Sequence, residues 1–169
     1  MIVLLIAMLA ALPVFGEATY GNWAVDKSDS GEAYFAITVN DSNRSLIQTC
    51  DEDGCVWMLL LPNSCKKDAK YPVMASSDAP SSSGVLTTEL VCIDGKETES
   101  GFGYVVANFD LIDKLIRNPE AKRIGFVYAV NDGDFTVVRF NLDGAVRAIQ
   151  AMQEKVKAAK KLNTRDKRL

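Results

Sequence analysis

The 169-residue chain carries 19 Lys/Arg, 22 Asp/Glu and no histidine, with 48% hydrophobic residues and a formal charge of −3. That composition excludes a largely disordered chain, and the missing histidine excludes Ser-His-Asp and Cys-His catalysis. The charge is uneven, with 12 Lys/Arg against 19 Asp/Glu over residues 19–153 and 7 against 2 over 154–169, so the acidic body argues against nucleic acid as a partner.

The first sixteen residues, MIVLLIAMLAALPVFG, hold no charge. They are too few to span a bilayer comfortably, and they match the apolar core of a secretory signal. Residues 1–18 are therefore expected to be removed as a signal peptide, with a cut after Gly16 or Ala18. No later segment is long and apolar enough to be a second span. The expected destination is the bacterial periplasm or the medium. Residues 19–161 then form a single β-rich domain, and 162–169 a flexible basic tail.

Short apolar runs separated by turn signals follow. Strands are expected at 23–25 and 34–39, the second rich in aromatic and β-branched residues. Segments 45–50 and 55–61 read as hairpin arms around Asp51-Glu52-Asp53-Gly54, whose polar residues and glycine suit a tight turn. Residues 62–84 read as irregular, ending in a Ser-rich, proline-broken loop. Strand character resumes at 85–93, Asp94-Gly95 reads as the next turn, and 101–106 as a weaker strand. Residues 109–118 place Leu111, Ile112, Leu115 and Ile116 at helical spacing before Pro119. Strands at 123–130 and 135–141 flank Asn131-Asp132-Gly133-Asp134, a hairpin signal. A long helix is expected over 142–161, with Leu142, Ala145, Val146, Ile149, Met152 and Val156 on its apolar face. The fold class is α+β: an antiparallel β-rich sandwich or sheet with a short helix and a long C-terminal amphipathic helix.

The four cysteines, Cys50, Cys55, Cys65 and Cys92, are even in number, which in an exported chain favours two disulfides. Three pairings exist. Cys50–Cys55 and Cys65–Cys92 are preferred, because the turn after Cys50 brings its two ends together. The spacings lack the close pairs of a zinc site, and acidic neighbours oppose a redox-active thiol.

Carboxylates are the abundant acid/base groups. Asp51, Glu52 and Asp53 read chiefly as a solvated turn, with calcium binding as the weaker alternative. The same residues form the candidate partner-binding tip. Trp23 and Trp57 lie in strand patterns and are expected in the core, although each could stack on a ligand. No catalytic residue, metal or cofactor is assigned.

The opening Gly21-Asn22-Trp23, the mid-chain cysteines and the ending Val137-Val138-Arg139-Phe140-Asn141-Leu142-Asp143-Gly144-Ala145 together resemble the invasion-associated locus B family of periplasmic proteins. That family ends in a similar Phe-x-Leu-x-Gly strand-to-helix step. The resemblance implies a periplasmic β-rich domain with an envelope or host-interaction role, and it offers no known catalytic residues to carry over. The leading functional expectation is an exported non-enzymatic protein that binds a protein or cell-envelope partner or supports the cell envelope. The alternatives are an inhibitor or immunity protein against a periplasmic hydrolase, and a hydrolase using carboxylates alone.

Overall fold

Residues 18–81, 84–98, 101–131 and 134–166 are described by a computed structural model. The elements in chain order are β1 (Ala18–Tyr20), β2 (Trp23–Lys27), β3 (Tyr34–Val39), β4 (Ser45–Cys50), β5 (Cys55–Leu61), β6 (Lys70–Ser77), β7 (Leu86–Thr98), β8 (Gly101–Val106), α1 (Phe109–Ile116), β9 (Arg123–Asn131), β10 (Asp134–Asn141) and α2 (Ala145–Asp166). The strands form one ten-stranded sheet in the order β1-β2-β3-β4-β5-β8-β7-β6-β9-β10. Every pairing is antiparallel.

Strand alternation decides the two faces. Trp23 and Val25, Ala36, Leu46, Trp57 and Leu59 are buried on the inner face. Trp23 and Trp57 meet edge to face, with ring centroids 6.3 Å apart. Phe109 at the start of α1 stacks on Trp57 at 6.4 Å. Ala145, Ala148, Ile149 and Met152 bury the inner side of α2, which lies against β1 to β4. The alanines let the helix axis approach the sheet closely.

The sheet folds back on itself. The Trp23 indole N–H donates to the Asn141 carbonyl at 3.0 Å, and the Asn22 N–H donates to the Asp143 carbonyl at 3.0 Å. The Asn40 side-chain amide donates to the Arg139 carbonyl at 3.1 Å. Gly21 and Gly144, both at positive φ, abut at this joint. The Tyr20 carbonyl oxygen sits where a Cβ on Gly144 would be. The two motifs that carry the family resemblance, Gly21-Asn22-Trp23 and the strand-to-helix step, thus form one closing joint.

Strands β3, β4, β5 and β8 match their expected limits, and β2, β9 and β10 differ from theirs by one or two residues at an end. Four readings are corrected. Segment 62–84 contains β6, hidden by Pro72 and small polar residues. Cys92 N–H bonds the Ala69 carbonyl, so odd residues of β6 face β7 and Pro72 faces the other way. Pairing of β6 with β9 begins only at Val73, so no ladder bond is lost at Pro72. Asp94-Gly95 is not the hairpin turn. It lies within β7 where the register to β8 shifts between Cys92 and Glu97, and a Cβ on Gly95 would fall 2.9 Å from the Cys65 carbonyl oxygen. Leu142 precedes α2, because its N–H still bonds Lys122 on the strand ladder at 2.8 Å. Finally, α2 runs to Asp166, so 162–166 of the expected tail are helical. Residues 1–17 and 167–169 lie outside the described residues, while Ala18, assigned to the signal, pairs with Val25 in β1.

The short helix keeps its expected start. Asn108 caps α1 by accepting from the Leu111 N–H at 3.1 Å, which satisfies one of the free N–H groups of the first turn. Ile112, Leu115 and Ile116 are buried beneath it.

Candidate functional site

The acidic tip closes the β4–β5 hairpin. Asp51 and Gly54 pair through the Asp51 N–H at 2.9 Å, which leaves Cys50 and Cys55 opposite each other as a non-hydrogen-bonded pair. Their Cα atoms stand 4.1 Å apart and the two are joined by a disulfide, in the preferred pairing. Asp51 turns inward, its Oδ1 accepting from the N–H groups of Asp53 and Gly54 at 2.8 and 3.0 Å. Part of its charge therefore holds the turn. The Lys160 ammonium on α2 donates to the Glu52 carbonyl at 3.2 Å. The basic end of the helix and the acidic tip, read separately from sequence, meet within the chain. A cavity of about 390 Å³ between them is lined by Glu32, Asp51, Glu52 and Asp53 over Tyr34 and Val156.

The second disulfide joins Cys65 to Cys92, with Cα atoms 6.0 Å apart. It pins the 62–69 segment beside β7, where Asp68 N–H also bonds the Cys92 carbonyl at 2.9 Å. The Tyr104 hydroxyl donates to the Asn63 carbonyl at 2.7 Å and its ring meets Tyr71 edge to face. Burial, with smaller contributions from Tyr71 and Tyr128, pushes the Tyr104 phenol up to about 12. An unfolded tyrosine ionises near ~10. The native state therefore holds its proton longer, and Tyr104 stabilises fully below ~10 and loses that contribution as pH rises towards about 12. Stability curves over this alkaline range are expected to fall less steeply for Tyr104→Phe than for the parent chain. Equal slopes would reject the assignment.

Two surface depressions escaped the sequence reading. The larger, about 620 Å³, lies where the α1–β9 connection meets the start of α2, with Asp78, Lys122, Arg123, Asp143 and Arg147 at its wall. Asp78 accepts from the backbone N–H groups of Lys122 and Arg123, both at 2.8 Å, and from the Arg123 guanidinium at 3.4 Å. The Arg123 backbone hydrogen bond, foremost, holds the Asp78 carboxyl below its usual range. Asp78 is thus kept ionised, the opposite of what a general acid requires.

The other depression, about 380 Å³, lies on the outer face of β2 to β5 and is lined by Ala24, Phe35, Ile37, Ile47 and Met58, with Asp26 and Thr49 as the polar members. Register explains it: Ala24 pairs with Ile37, Ile37 with Ile47, and Ile47 with Met58. One row of apolar side chains therefore crosses four strands on the face opposite Trp23 and Trp57. The signal was present in the sequence, since β3 and β5 are apolar at nearly every position where a strand with one wet face would alternate.

The chain is similar in fold to invasion associated protein b from Bartonella henselae. The two structures align with a TM-score of 0.58 over 83% of this chain and 97% of the other, at 17% sequence identity. At that identity the likeness is one of fold, and it agrees with the resemblance carried by the closing joint. No family model matches the chain, and no curated protein sequence does. Among the described residues, no helix is long and apolar enough to cross a membrane.

Proposed function

We propose that this chain is an exported, non-enzymatic protein of the bacterial periplasm or extracellular space that binds a protein partner of the cell envelope through the outer face of β2 to β5. The observation that carries the reading is the apolar groove of Ala24, Phe35, Ile37, Ile47 and Met58. A row of large apolar groups on a solvent-facing sheet marks an interaction surface more often than a passive one. Asp26 at its rim selects a partner whose apolar segment is flanked by a cation. Two disulfides support export, as does the fold likeness to invasion associated protein b; a role at host contact is the extension of that likeness. A cut after Gly16 would leave all of β1 in the mature chain. The mass of the secreted protein is expected to match residues 17–169 less four protons. An intact N-terminus with four free thiols would overturn export.

The second reading, an inhibitor acting through Asp51, Glu52 and Asp53, is favoured by one observation. The tip is cross-linked at its base by Cys50–Cys55 and so is pre-organised for insertion into a basic cleft.

One experiment separates the two. Envelope proteins retained by the mature chain are compared with those retained by Ile37→Lys/Ile47→Glu and by Asp51→Asn/Glu52→Gln/Asp53→Asn. Both variants are expected to melt near the parent, since their changes lie at partly or fully exposed positions. The groove variant is expected to lose the retained partner by tenfold or more, the tip variant by less than threefold. Retention by the groove variant with loss by the tip variant reverses the assignment in favour of an inhibitor. Loss in neither removes both surfaces.

A further inference from the structure

The sheet has two edges, and they are finished differently. At one edge β1 is three residues long, and its Tyr20 carbonyl is packed against Gly144. At the other, β10 pairs only with β9 among the described residues. The bond from Leu142 N–H to the Lys122 carbonyl continues the β9–β10 register, so even residues of β10 bond β9 and odd residues turn their N–H and C=O outward. The outward carbonyls of Arg139 and Asn141 are taken by the Asn40 and Trp23 side chains. Those of Phe135 and Val137, with their N–H groups, face an open edge. The side chains of the same two residues are 65% and 45% exposed, the first being the most exposed large apolar group among the described residues.

We propose that this open half of β10 is a self-association site, where a second copy of the chain adds its own β10 antiparallel about a two-fold axis at Thr136. The proposal is independent of the groove on β2 to β5. The register follows from which groups point outward. Phe135 exchanges two hydrogen bonds with Val137 of the partner subunit, and Val137 two with the partner's Phe135. Thr136 faces the partner's Thr136 as a non-hydrogen-bonded pair. Aromatic with β-branched and threonine with threonine are favourable cross-strand pairs. In this register no like charges face each other. Val137 continues outward from Val127 and Met74 in the same row. Pairing therefore joins two apolar rows across the axis. The Asn40 cap on Arg139 stops the ladder, which closes the assembly as a dimer and prevents a fibre. So short a paired segment falls below the area of a permanent dimer, so the expected dissociation constant is on the order of 100 µM.

The test uses the mature chain with its disulfides intact. Sedimentation from about 10 µM to about 1 mM is expected to show a monomer passing to a dimer. Val137→Pro removes an outward N–H and no bond to β9; it and Phe135→Lys are expected to weaken association tenfold or more without lowering the melting temperature appreciably. Thr136→Cys places two thiols across the axis at a Cα separation of ~4.5 Å, and mild oxidation is expected to give a covalent dimer. Arg139→Cys, which faces no copy of itself in this register, is the control. A monomer at all concentrations, with Thr136→Cys cross-linking no faster than Arg139→Cys, overturns the proposal. A dimer untouched by Val137→Pro and Phe135→Lys overturns it equally, because the contact then lies elsewhere.

Discussion

Gly144→Ala is expected to be among the most damaging single-methyl changes in the chain, costing about 3–5 kcal/mol. Two effects combine. Gly144 has φ +86°, where a side chain adds roughly 1–2 kcal/mol of strain. The added carbon also falls on the Tyr20 carbonyl oxygen, with the Gly21 N–H close behind. Both obstacles are backbone, so neither can rotate away. Relief requires β1 and the β1–β2 turn to move off the start of α2, which breaks the Asn22 N–H to Asp143 bond and tilts Trp23 away from Asn141. For a domain of this size the melting temperature should fall by roughly 10 °C. Gly54→Ala is the matched control, since nothing lies within 4 Å of a Cβ there. Should Gly144→Ala melt within about a degree of Gly54→Ala, the joint is looser than described.

Removing the Cys65–Cys92 bridge by a double alanine substitution is expected to cost about 3–4 kcal/mol, against about 2 for Cys50–Cys55, in the chain-entropy account. The difference follows from loop length, 27 residues of separation against 5. The native state adds to the contrast. Cys50 and Cys55 already face each other at the end of a ladder, so the hairpin keeps its register without the bridge. The 62–69 segment is held less firmly, by bonds that include the Tyr104 hydroxyl on Asn63, the Lys66 N–H on the Tyr71 hydroxyl and the backbone bonds joining Asp68, Ala69 and Cys92. Denaturant midpoints of the two double variants measure both values. A larger loss at Cys50–Cys55 would contradict the ordering. Under reducing conditions the parent chain should approach the sum of the two losses, because the bridges sit on different strands and share no partner.

Much of the candidate surface was written in the sequence without being readable there. The alternation of β3 shows two uncharged faces, Ala36 with Thr38 and Phe35 with Ile37. Only the structure tells which of them is covered. Helix α2 packs against β3, the first pair is buried, and the second is left to line the groove. In the same way, Phe135 and Val137 look like ordinary strand residues. Their exposure follows from β10 being last in the sheet, and sheet order is a global property. The acidic tip and the lysines of α2 were each legible as charged segments. That Lys160 reaches the Glu52 carbonyl depends on the helix crossing the sheet at a particular angle.

The local physics of the chain settled the rest. Turn chemistry at Asp51-Glu52-Asp53-Gly54 determined the β4–β5 hairpin and with it the Cys50–Cys55 bridge, since ends so near in sequence leave the backbone few other ways to run. Strand and helix periodicity determined most elements, because period 2 and period 3.6 expose different faces to water. Tertiary structure decided β6, whose Pro72 is tolerated only because its missing N–H falls beyond the end of the β9 pairing. It decided that Leu142 belongs to the strand ladder and not to the helix. It also decided the meaning of Gly21-Asn22-Trp23 and Asn141-Leu142-Asp143-Gly144. Each is a weak local signal, and they become one joint only when a ten-stranded sheet folds until its first turn meets its last strand.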